Sequence, residues 1–300
     1  MRRRRRVPRS LTAAALAMAL AATCIALRVQ AQAQAPAVGT TPGAIASLAG
    51  RRLWYVDTGG PGTPVVLLHA ASGSILMWER QLPALQAAGY RVIAFDRVGW
   101  GRSELDEGTP PGAAADDLQA LLAMLRVDRF HLVGTAAGGF VAFDYALSFP
   151  ERLRSLTVAN SIGGVQDEEY LALGRRLRPS PQFDALPVEV REVGPAYRAA
   201  DAAGTARWVE LSRQSRLARP LPSAQTFKNR VTFARLETIR VPTLLISGGA
   251  DLYAPPPVMR LYAEHMKGAE TIAVPDAGHS TFWEQPELFN RTLLAFLKRY

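Results

Sequence analysis

The pattern of apolar residues predicts an α/β architecture: a mainly parallel, doubly wound sheet with a helical cap inserted late in the chain. Three observations carry this. From Arg52 onward short β-branched runs recur without polar interruption, and longer segments with apolar residues at three- and four-residue spacing fall between them. One stretch of roughly 70 residues holds only the second kind of pattern.

The runs are "VVLLH" (Val65 to His69), "RVIAFD" (Arg91 to Asp96), "FHLVG" (Phe130 to Gly134), "SLTVAN" (Ser155 to Asn160), "TLLISG" (Thr243 to Gly248) and "ETIAVP" (Glu270 to Pro275). Strands apolar on both faces need cover on both, as in a parallel sheet. The helical segments supply it: Met77 to Ala88, Ala113 to Leu125, Phe140 to Ser148, Val258 to Met266 and Pro286 to Lys298. Between Gly163 and Arg235 there are only amphipathic pieces, "DEEYLALGRRL", "LPVEVREV" and "TARWVELSRQS", separated by "RPSPQ" and "RPLP". Residues 163–235 are therefore assigned to a cap, and 36–162 with 236–300 to the core. The cap holds 12 basic and 8 acidic residues, a surplus too small to specify a substrate.

The first 35 residues read as a secretory signal peptide. Six arginines lie within Met1 to Ser10, an uncharged Ala/Leu-rich run follows from Leu11 to Leu27, and "RVQAQAQA" offers cleavage after Ala31, Ala33 or Ala35. The run is short and poor in bulky side chains for a membrane span, so a cleaved, periplasmic or secreted protein with no stable membrane insertion is expected. Most of the formal net charge of +9 resides here; the remainder holds 28 basic and 26 acidic residues, which argues against nucleic acid as a partner. Cys24, the single cysteine, lies inside the signal, and the apolar "IAL" after it disfavours lipid attachment. The mature chain then has neither disulfides nor a thiol nucleophile.

Ligands of an open parallel sheet bind at the carboxyl ends of its strands. The polar stretches there are "HAASGS" (His69 to Ser74), "DRVGWGRS" (Asp96 to Ser103), "GTAAGG" (Gly134 to Gly139), "GGADLYAPP" (Gly248 to Pro256) and "PDAGHSTFWEQPELF" (Pro275 to Phe289). In this order, with D-R-x-G-x-G-x-S from Asp96 and G-H-x-x-x-x-E-x-P-x-x-F from Gly278, the chain resembles the α/β-hydrolases of the capped esterase, lactonase and dehalogenase type. The resemblance runs from about Arg52 to the C-terminus, with the cap its least diagnostic part.

That resemblance implies the order nucleophile, acid, histidine, which falls here on Ala136, Asp251 and His279. It also implies oxyanion donors on the backbone of Ala70 or Ala71 and of Ala137, and a tight elbow held by Gly134 and Gly138. Ala136 departs from the pattern, because a methyl group stands where a nucleophile is expected. Four readings follow; in one, an ordinary serine enzyme has had its nucleophile replaced by alanine, which the intact signal segment argues against. His279 and Asp251 act as a general-base dyad on a small ester, lactone or carbamate-like molecule, by hydrolysis or a lyase-type step; a nearby hydroxyl (Thr135, Ser72, Ser74 or Ser161) substitutes; or the protein binds a small molecule without turnover. Asp276 is read as a loop-shaping residue. His69, His131 and His265 have no second ligand at metal spacing, so neither metal nor cofactor is expected. The sequence leaves the oligomeric state open.

Overall fold

The computed structural model describes residues 42–216 and 224–300, so the predicted signal segment lies outside the described residues. Nine strands form one sheet: β1 (Gly43–Leu48), β2 (Arg51–Asp57), β3 (Pro64–Leu68), β4 (Arg91–Phe95), β5 (Glu104–Leu105), β6 (Phe130–Thr135), β7 (Leu153–Ala159), β8 (Thr243–Gly248) and β9 (Glu270–Val274). Their order is β1-β2-β4-β3-β6-β7-β8-β9, with β5 beside β2. From β4 to β9 every pairing is parallel, while β2 runs antiparallel to β1, β4 and β5.

The six predicted runs are the parallel strands. The antiparallel edge was not predicted: β1 and β2 mix exposed and buried positions, so neither shows an unbroken apolar run. In β3, Val66 and Leu68 face one core cluster and Val65 and Leu67 the other, as the two-residue strand period requires.

The helices α1 (Leu82–Ala87), α2 (Ala114–Met124), α3 (Ala137–Ser148), α9 (Pro256–His265) and α11 (Pro286–Leu297) flank the sheet. Leu118, Leu121, Tyr145 and Tyr262 pack on one face; Leu82, Leu85, Phe289 and Phe296 pack on the other. The helix expected over Met77 to Ala88 is shorter. Ile75–Trp78 form a 3₁₀ turn, and the α-helix starts only at Leu82, with Pro83 in its first turn, where a missing N–H costs nothing.

Between β7 and β8 the described residues form α4 (Glu168–Leu177), α5 (Val188–Glu192), α6 (Pro195–Ala200), α7 (Ala202–Gln214) and α8 (Phe233–Leu236). Glycines and prolines between them keep these helices short. The remaining α-helix among the described residues, α10 (Thr281–Glu284), lies between β9 and α11. Among the described residues no helix is long and apolar enough to cross a membrane.

Candidate active site

At the carboxyl end of β6 the chain turns into α3 at Ala136, whose φ of 49° and ψ of −117° lie in a region costly for any residue with a side chain, on the order of 1–3 kcal/mol. Three contacts hold it there. Its N–H donates to Ala159 O at 2.9 Å, its carbonyl accepts from Gly139 N at 3.0 Å, and the Ser161 hydroxyl donates to the same carbonyl at 2.6 Å. The flanking glycines are required by contact. A Cβ on Gly134 would lie 2.5 Å from Gly138 O, and one on Gly138 would lie 2.2 Å from Leu68 O. Strand and helix backbones thus nearly touch, and the residue at the apex is an alanine.

Ala137 is the first residue of α3, so its N–H is one of those that a helix leaves unpaired. Across from it, after β3, His69 fixes the second turn. Its Nδ1–H donates to Ala70 O at 2.7 Å, and its Nε2 accepts the Arg97 N–H at 3.0 Å. Burial and the Arg97 charge hold this imidazole well below its ordinary pKa, which suits the neutral tautomer. Ala70 O also accepts from Gly73 N, and Ala71 O accepts from Trp100 Nε1 at 2.7 Å. With both carbonyls committed, no hydrogen bond engages the N–H of Ala70 or Ala71 among the described residues.

His279 and Asp251 come together from the loops after β9 and β8. His279 Nδ1 lies 2.9 Å from each oxygen of the Asp251 carboxylate, and both side chains are buried. Asp251 also accepts the N–H groups of Tyr253 (2.7 Å) and Ala254 (3.0 Å) and Asn160 Nδ2 (3.0 Å). Burial alone would raise its pKa, but the His279 charge and these hydrogen bonds outweigh it and hold the carboxyl below its ordinary value. For His279, burial pushes down, while the charge and hydrogen bond of Asp251, with the charge of Glu192, push up more. The imidazole therefore sits above its usual value. An ionised Asp251 fixes the proton on Nδ1, and Nε2 forms no hydrogen bond among the described residues. The Tyr253 ring lies against the imidazole, with centroids 4.3 Å apart.

Three residues that the sequence reading left without a role complete the support. Asn160, at a positive φ of 49° just after β7, also donates to Gly278 O at 3.0 Å and accepts from Thr281 Oγ1 at 2.6 Å, so it aligns acid and base loops together. Glu284, the glutamate of the G-H-x-x-x-x-E motif, accepts the N–H groups of Gly278 (2.9 Å), Ser280 (3.3 Å) and Gly194 (2.9 Å). Asp96 accepts from Ile75 N (2.8 Å) and Arg102 N (2.9 Å), and burial pushes its pKa up to about 6. The motif signalled Glu284 and Asp96. Nothing local signalled Asn160.

The candidate hydroxyls are placed differently from one another. Ser161 supports the Ala136 carbonyl, Ser74 accepts from the Ser215 hydroxyl at 2.7 Å, and Thr135 Oγ1 is buried with no partner among the described residues. Ser72 donates to Glu192 at 3.1 Å. Asp276, at a φ of 59°, shapes the turn before Gly278. Among the described residues no three His, Cys, Asp or Glu side chains gather as a metal site would require.

Residues 65–292 match the model of the family described as Alpha/beta hydrolase family. The chain belongs to that family. A relative from Azorhizobium caulinodans, provisionally named carbamate hydrolase RutD, is 30% identical over 81% of this chain and 94% of its own. A 2-hydroxy-6-oxononadienedioate/2-hydroxy-6-oxononatrienedioate hydrolase from Burkholderia vietnamiensis is 30% identical over 83% of this chain and 91% of its own. Among solved structures, a thermophilic esterase from Thermogutta terrifontis superposes with a TM-score of 0.70 at 26% identity, covering 86% of this chain and 98% of the esterase. By this homology the chain is of hydrolase type.

Proposed function

We propose that this chain is an exported hydrolase of a small ester, lactone or carbamate-like molecule that uses the His279–Asp251 pair as a general base and has no serine nucleophile. The observation that carries the reading is a fully assembled acid and base in a chain whose elbow apex bears only a methyl group: His279 is held by both Asp251 oxygens, while residue 136 is alanine. Removing a nucleophilic serine costs about a million-fold in an enzyme that forms an acyl intermediate, with roughly 10³- to 10⁴-fold over water left to binding and oxyanion donors. Direct attack by water avoids that intermediate. Neutral Nε2 takes a proton from the water as its oxygen adds to the carbonyl carbon, and the N–H groups of Ala137 and Ala70 or Ala71 receive the oxyanion. Asp251 stabilises the imidazolium that forms.

The names of the two relatives point to hydrolysis of a carbamate and of an oxo-substituted unsaturated dicarboxylate, and both fit a base that acts on water or on a substrate proton. The N-terminal arginines, apolar run and small-residue sites support export. The experiment is hydrolysis of a panel of activated esters, lactones and carbamates by the mature chain, beside His279→Ala. Turnover lost in the variant supports the reading. Absence of turnover, with a small molecule retained through purification, replaces it with a binding protein, the second reading that the Ala136 methyl favours.

A further inference from the structure

Glu192 ends α5, in the segment between β7 and β8, and its side chain reaches the turn that carries the candidate oxyanion donors. Its Oε2 accepts the hydroxyl of Ser72, the residue directly after Ala71, at 3.1 Å. The residue is only 9% exposed and joins none of the ion pairs formed among the described residues. The charged and titratable groups around it are His279 and Asp251 from the loops after β9 and β8, Arg191 beside it in the chain, and the Tyr253 hydroxyl, which burial and then the Glu192 charge push up to about 12. A carboxyl group thus stands against the candidate oxyanion turn, with His279 and Asp251 among the charged groups around it.

We infer that Glu192 is the general acid of this site: as the acyl carbon loses its leaving group, the Glu192 carboxyl delivers a proton to the departing oxygen or nitrogen. The inference rests on the hydrolase reading above and extends it to substrate class. An enzyme with such an acid is suited to leaving groups too basic to depart unaided, alkyl esters and carbamates rather than phenyl esters. Burial is the largest influence on Glu192 and drives its pKa above the ordinary carboxyl value, the direction that an acid working near neutrality needs.

The protons balance. The water oxygen bonds to the acyl carbon while its proton passes to His279 Nε2. The tetrahedral intermediate then collapses, its bond to the leaving group breaks, and that group takes the Glu192 proton. The products are the acid and the alcohol or amine, with His279 holding one proton more and Glu192 one fewer. Transfer of one proton from His279 to Glu192, directly or through solvent, restores the starting state.

The test compares wild type, Glu192→Gln, Glu192→Asp and His279→Ala on two acetates that differ only in the leaving group, p-nitrophenyl acetate and ethyl acetate. The expected result for Glu192→Gln is a kcat loss on the order of 10²-fold on ethyl acetate and less than about 3-fold on p-nitrophenyl acetate, whose leaving group needs no proton. Glu192→Asp should recover part of the ethyl acetate rate. In wild type that rate should fall at high pH as the carboxyl ionises, and this fall should vanish in Glu192→Gln. Equal losses on both acetates, or none on either, overturn the inference and leave the dyad standing. Wild type with no turnover that depends on His279 overturns the hydrolase reading and this inference together. Should Glu192→Gln fail to fold, Glu192→Asp decides alone: a loss confined to ethyl acetate supports the acid, and a uniform loss refutes it.

Discussion

The Ser161 hydroxyl donates to the Ala136 carbonyl at 2.6 Å and so holds the strained apex from a strand end 25 residues away. It also accepts the Gly163 N–H at 3.0 Å, which fixes the hydroxyl in place. The elbow geometry therefore depends on the backbone of residue 136 and on its neighbours, none of which involves the side chain at that position.

Restoring a hydroxyl at that position should consequently be enough to create an acylation site. Ala136→Ser is expected to gain at least ~10²-fold in hydrolysis of small activated esters, well short of an evolved enzyme whose supporting shell is tuned to the serine. It should take up an alkyl phosphonate at residue 136, and both properties should disappear with His279→Ala. The wild-type chain should remain unlabelled; intact mass and peptide mapping read both results.

The pH dependence follows from His279. Only neutral Nε2 accepts a proton from water, and Asp251 holds this imidazole above its ordinary value of 6.5 despite its burial. Hydrolysis of p-nitrophenyl acetate should thus be low in acid and rise with pH through a midpoint above 6.5. Asp251→Asn removes the charge that favours imidazolium and fixes the tautomer, so its kcat should drop by about 10⁴-fold. A kcat–pH profile for each protein checks both statements.

Glu284→Ala would leave the N–H groups of Gly278, Gly194 and Ser280 buried without their acceptor. Each such group costs on the order of 1–3 kcal/mol, and relaxation recovers part, so a total loss of roughly 3 kcal/mol is expected. Denaturant unfolding measures it. An undiminished midpoint would mean that the loop before His279 is held by something other than this carboxylate.

Gly138→Ala places a Cβ against the Leu68 backbone carbonyl, which cannot rotate away as a side chain can. A destabilisation of about 1–3 kcal/mol is expected, together with loss of the activity gained by Ala136→Ser in the double variant. Thermal unfolding and the ester assay, run on the same samples, separate the two effects.

Export predicts a protein that begins just after Ala31, Ala33 or Ala35. Intact-mass measurement of the periplasmic fraction decides it, and a full-length, membrane-retained chain would refute it.

The parallel half of the sheet was legible because its strands other than the edge strand β9 are largely apolar on both faces, and the approach of His279 to Asp251 because the chain order of the resembled family placed both residues in loops after strands. What escaped has a common cause. β1 and β2 are partly exposed, so their pattern resembles that of a loop. Asn160 looks like the last residue of a strand, and only the fold sets its amide against Asp251 and Gly278, 91 and 118 residues away. Glu192 belongs to a short amphipathic helix with acidic and basic residues in neighbouring positions, and its burial against Ser72 is a tertiary fact, 120 residues distant in the chain. The apolar spacing over Met77 to Ala88 continues across the 3₁₀ turn, so the periodicity alone extends the helix beyond its true start at Leu82.

One carboxylate joins parts of the chain that would otherwise meet only by packing. Glu284 accepts from Gly194, in the segment between β7 and β8, and from Gly278, next to the base, and a Cβ on Gly278 would lie 2.4 Å from Gly194 N. Any molecule that draws the Gly194 segment inward must disturb the same carboxylate that holds the backbone of Gly278 and Ser280 on either side of the imidazole. Occupancy above the site and proton affinity within it are thereby thermodynamically linked: a ligand that tightens when His279 is protonated must, to the same degree, make His279 harder to deprotonate.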